Sequence, residues 1–83
     1  MSRLLEAIEC IEKCKHVDDL LYARKLLMLE GLMNNNLEMA IKSIGQENHN
    51  AAKMFLIGPT PLGSTLGAIE ELKIVARKKG LIL

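Results

Sequence analysis

Aromatic side chains are almost missing from this sequence: Tyr22 and Phe55 are the two among 83 residues, and there is no tryptophan. A core so poor in rings must be built from Leu, Ile, Ala and Met, which suits helices packed on helices better than a β-sandwich. An excess of charge is lacking too. Eleven basic against ten acidic residues leave a formal net charge of +1. That balance argues against a dedicated nucleic-acid binder, which concentrates basic residues on one face, and against an acidic DNA mimic. No run approaches the roughly 20 apolar residues of a membrane span, and "MSRLLEAIECIEK" places acids too densely for a signal peptide. Cys10 and Cys14 are the only cysteines, so reduced thiols and a cytoplasmic location are expected.

What remains is periodicity. Residues 2 to 15 read as an amphipathic helix, with Leu4, Ala7, Ile8, Cys10, Ile11 and Cys14 on one side and Ser2 as its cap. A second helix over about 19 to 33, capped by Asp18, is apolar nearly all the way round, through Leu20, Leu21, Tyr22, Leu26, Leu27, Met28, Leu29, Leu32 and Met33. Such a helix is normally surrounded by protein, and one short chain has few elements to surround it. The reading is therefore an all-α single domain over 1–83, a small bundle of about four helices completed by oligomerisation as a dimer or higher. Leu20, Leu27, Met28 and Leu32 are the candidate oligomer interface.

"NNN" at 34 to 36 breaks the chain, with Asn35 and Glu38 fitting a variant capping box. A short helix ends at Gly45, and "QENHN" is a polar connection or the first turn of a further helix through "AAKMFLIG". In "GPTPLGSTLGAIEELK", residues 58 to 73, Thr60 is expected to cap the last helix with Pro61 in its first turn; an alternative start lies at Ser64 or Thr65. Gly80 marks the end, and the "LIL" tail is expected to fold back as an apolar clasp. If that helix starts at Pro61, Gly63, Gly67, Glu70 and Ile74 share a strip off its main apolar face, open to a partner helix or a ligand.

Catalytic signals are weak. Cys10 and Cys14, one turn apart, with His16 beyond, lack the further ligands that a closed zinc site needs, and no motif supplies a base or an oxyanion site for a thiol nucleophile. The expectation is no metal, no cofactor and no enzyme activity. The five methionines read as core filler rather than an adaptable surface. His49 reads as a solvated side chain. "GPTPLGST" lacks the lysine of a phosphate-binding loop, although free amides with the hydroxyls of Thr60, Ser64 and Thr65 can still hold phosphate.

The sequence is best read as a small non-enzymatic regulator or inhibitor that binds another protein, through Thr60, Gly63, Ser64, Thr65, Gly67, Glu70 and Ile74. Its size is one shared by many phage accessory proteins. The first alternative is an oligomer that binds or sequesters a phosphate-bearing nucleotide or metabolite through residues 60 to 67. The second is a helix-turn-helix DNA binder, weakened by a reading helix with one lysine and no arginine.

Overall fold

Capping side chains decide where most of the helices begin. Ser2 Oγ accepts from the Leu4 and Leu5 amides and opens α1, Arg3–Glu12. His16, not Asp18, opens α2, Val17–Leu29: its Nδ1 accepts the Asp18 amide, so the helix starts two residues ahead of the expected position. Asn34 opens α3, Asn35–Gly45, through a 2.9 Å bond from the Leu37 amide, which displaces the expected Asn35 box by one residue. Asn48 accepts from the Ala51 amide and opens α4, His49–Ile57. A capped α4 makes five helices where about four were expected. α5, Ala68–Lys78, follows a ten-residue loop and has no side-chain cap.

The ends are equally regular. In α2, Gly31 takes the left-handed conformation, its amide reaches the Met28 carbonyl and the Leu32 amide reaches that of Leu27. This paired closure satisfies two of the carbonyls that a helix end orphans. The same pair of bonds ends α5 around Gly80, as expected, and ends α3 around Glu47, a non-glycine residue at φ 60.

α1 packs against α2, and α3 against α4, as two hairpins; α5 lies against α1, α4 and α3. The computed structural model describes residues 2–82, and these contain no strand. Leu4, Ile11, Leu20, Leu27 and Leu37 are the largest fully buried side chains, and Phe55 joins them in the core. The Cα radius of gyration, 11.8 Å, is what a chain of about 80 residues gives when it packs as one body. One copy thus closes its own core. Ile82 packs on that core, as the clasp requires; Leu83, its last residue, and Met1 lie outside the described residues. Among the described residues no helix is long and apolar enough to cross a membrane.

Polar ties join the hairpins to α5 and to each other, among them Lys73 of α5 to Glu12 of α1 at 3.1 Å. Glu71 accepts from Asn34 and Asn36 side-chain amides at 3.1 and 2.6 Å, and Asn36 also donates to the Leu66 carbonyl. Arg24 of α2 pairs with Glu38 of α3 at 3.3 Å. A backbone crossing adds to these ties. A Cβ on Gly67 would stand 2.5 Å from the Ile57 carbonyl carbon and the Leu56 oxygen, and one on Gly58 would stand 2.7 Å from the Gly67 nitrogen. Only glycine fits at either position.

Gly67→Ala is therefore expected to lower unfolding free energy by about 1–3 kcal/mol through overpacking. Gly45→Ala, at a helical site with nothing within 4 Å of the added methyl, is expected to gain about 0.4–1 kcal/mol from the unfolded state. Urea denaturation of the two variants checks the contrast.

Candidate interaction surface

The loop between α4 and α5 spends its own polar groups on holding its shape. The Thr60 amide donates to the Ser64 carbonyl at 2.7 Å, and the Gly63 amide to the Thr60 carbonyl. The Ser64 amide donates to Thr60 Oγ1, while Ser64 Oγ donates to the Leu66 carbonyl and accepts from its amide. Gly63 sits at φ 92, a region closed to a continuing α-helix. A helix therefore cannot run on from Pro61, and the extended backbone of Gly67, at ψ −179, rules out a start at Ser64 or Thr65. Serine, threonine and glycine are poor helix formers, and Ser64 offers the chain a competing local bond that wins here.

This removes the strip of Gly63, Gly67, Glu70 and Ile74. Gly63 is in the turn, Gly67 is buried against α4, and only Glu70 and Ile74 are helical, one turn apart on α5. Thr60, Gly63 and Ser64 do come together, but Thr60 is buried and its hydroxyl is engaged with Ser64. Thr65 is exposed, as is Glu70, and Ile74 is half-buried.

Beside the exposed Ser64 and Thr65, the loop shows apolar side chains to solvent. Leu62 is 75% exposed at the tip of the turn, and Leu66, Ile57 and Met54 are exposed beside it in sequence. The backbones of residues 57–58 and 65–67 touch, so Ile57 and Leu66 come from adjoining segments. From Met54 to Ile69 the chain carries no charged residue. That uncharged run was the readable signal for this surface, and helix-start rules drew attention away from it.

The candidate interface on α2 divides differently from its sequence pattern. Leu20 and Leu27 are buried in the chain's own core and are not available to a partner. Leu32 is half-buried against that core. Met28 is exposed, and with it Leu21, Leu29 and Met33, three residues the sequence reading did not select. A helix apolar all round gives no sign of which side its own chain will take.

Phosphate finds little at this site. Glu70 and Glu71 fill the first turn of α5, where they already complement the helix dipole and repel an anion. A DNA-reading role for α4 meets a similar obstacle. Its one cation is Lys53, and Met54 and Ile57 are exposed along it, whereas phosphate contacts need positive charge. His49 stands at its start and, with Cys14 and Ile44, lines a shallow depression.

The thiols are kept protonated. Burial pushes Cys10 above the ordinary thiol value, with Glu6, Asp19 and Glu9 adding to the effect. Burial and then Asp19 raise Cys14, against a smaller opposing backbone hydrogen bond. Tyr22 donates to Glu6 at 2.9 Å, and that bond, followed by the carboxylate charge, raises the phenol. A protonated thiol is a weak nucleophile and a weak metal ligand. Among the described residues no three His, Cys, Asp or Glu side chains are placed to hold a metal ion. In comparisons with family models, curated proteins and solved structures, nothing matches this chain.

The raised thiol values carry a pH signature. Each contributes stability that is complete below the unfolded value, about 8.5 for cysteine, and is lost as pH rises through the folded value. The urea midpoint is expected to fall above that pH, and the fall is expected to be shallower in Cys10→Ala/Cys14→Ala. An equally steep decline in the variant would contradict the assignment.

Proposed function

We propose that this protein is a small non-enzymatic regulator or inhibitor that acts by binding another protein, with the loop tip at Leu62 as its contact. The observation that carries the reading is the pairing of a hydrogen-bonded loop with an exposed leucine. Five hydrogen bonds within residues 60 to 66 fix a turn that buries Thr60 and leaves Leu62 outside. Ordering a loop before contact removes an entropic cost from binding, and an apolar patch on a surface is a common mark of a docking site. Thiols held protonated support the non-enzymatic part. The two free cysteines are in keeping with a cytoplasmic setting. Homo-oligomerisation belongs to the same reading and is supported by the exposed side of α2.

The partner surface is expected to be apolar and low in charge, since residues 54 to 69 offer no ion-pairing group. Leu62→Asp should leave the fold intact, changing stability by no more than about 0.5 kcal/mol, as for other exposed sites. Affinity capture from the native host should recover a defined protein with the wild-type chain and lose it with Leu62→Asp. Equal recovery by both chains, or by neither, contradicts the proposal.

A further inference from the structure

The outward side of α2 combines apolar contact area with an ordered pair of charges. Leu21, Met28 and Leu29 line it, with Met28 61% and Leu29 59% exposed. Two turns apart on the same side stand Asp18 and Lys25, an acid near the start and a base in the second half. The other charges of the helix are already committed. Arg24 pairs with Glu38, and Asp19 accepts the Lys15 amide. Lys25 has no ionic partner among the described residues, and Asp18 has only His16 beside it, at 3.4 Å.

We propose that a second copy of this chain covers this side, with the two α2 helices antiparallel about a twofold axis close to Leu21. This gives a geometry to the homo-oligomer of the reading above, on which it rests, and it is separable from the Leu62 contact. Charge complementarity under symmetry favours this arrangement. A twofold interface presents one patch to itself, so it is favourable only when that patch is self-complementary. An acid and a base placed symmetrically about an apolar centre meet that condition. Antiparallel pairing sets Asp18 of each copy against Lys25 of the other and brings the two Leu21 side chains together. Met28 and Leu29 then extend over Val17 and the turn before it. Parallel pairing would set Lys25 against Lys25, and like charges brought together disfavour a contact. α2 packs on α1 and α3, whereas the Leu62 loop joins α4 to α5, so the two surfaces draw on different elements.

Charge exchange tests the arrangement. By size-exclusion chromatography with light scattering, the wild type is expected at twice the 9.2 kDa chain mass. Lys25→Asp alone and Asp18→Lys alone should each run as monomers, because each places like charges opposite one another twice. An equimolar mixture of the two should recover the dimer, since both cross-pairs are then opposite in sign. Met28→Asp, which alters neither charge, should also give the monomer. Circular dichroism establishes that each variant is folded; should Asp18→Lys fail to fold, Lys25→Asp and Met28→Asp still decide. A monomeric wild type overturns the proposal, as does a dimer indifferent to both of those changes, or two folded single-charge variants that stay monomeric when mixed. A monomeric wild type that retains Leu62-dependent capture would overturn this inference and leave the partner contact standing.

Discussion

The crossing of two backbones at Gly58 and Gly67 is the constraint on which the second half of the chain depends. It lets the entry to α5 lie directly on the exit of α4, with no side chain between them. From that point Asn36 reaches both the Leu66 carbonyl and Glu71, while Asn34 caps α3 and donates to the same carboxylate. One contact therefore sets the path of the loop, the start of α5 and the seat of the α3–α4 hairpin. The loop that results exposes Leu62 and Leu66, lies in a stretch without charge, and so suits an apolar partner.

Local chemistry was legible where local chemistry decides. Ser2 as a cap, Gly80 as a terminator, the break at the three asparagines and the apolar side of α1 all follow from bonds within a few residues. The start of α5 was not legible, because two acceptable caps compete near residue 60 and the choice is made by contacts elsewhere. Thr60 does accept an amide four residues on, much as a capping residue would, but it closes an isolated turn. Gly67 was expected inside the helix, on a strip open to a partner. Its reason is Leu56 and Ile57, eleven and ten residues away, and no rule of spacing along one helix contains that contact. The case of α2 is different again. Its leucines surround the axis, so the side facing α1 and α3 is fixed by packing alone, and the expected interface residues Leu20 and Leu27 fell on the inner side.

The two exposed apolar regions differ in chemistry, and so in what they suit. The α2 side carries an acid and a base in a symmetric order, which favours self-association in one orientation. The α4–α5 loop carries no charge over a long stretch and is asymmetric, which suits a foreign apolar recess. Between them the Tyr22–Glu6 hydrogen bond ties α2 to α1, and burial with nearby carboxylates raises both thiols above their ordinary value. A chain of this size that closes its own core and still leaves apolar side chains outside has more contact surface than one folded copy uses.

Docking through Leu62 requires the loop to hold that side chain in a fixed position before any partner arrives. Backbone 15N relaxation across residues 60 to 66 tests it most directly. The account predicts order parameters close to those of α4, about 0.85, as for rigid backbone. Values below about 0.6 across the turn, the range of flexible segments, would contradict it.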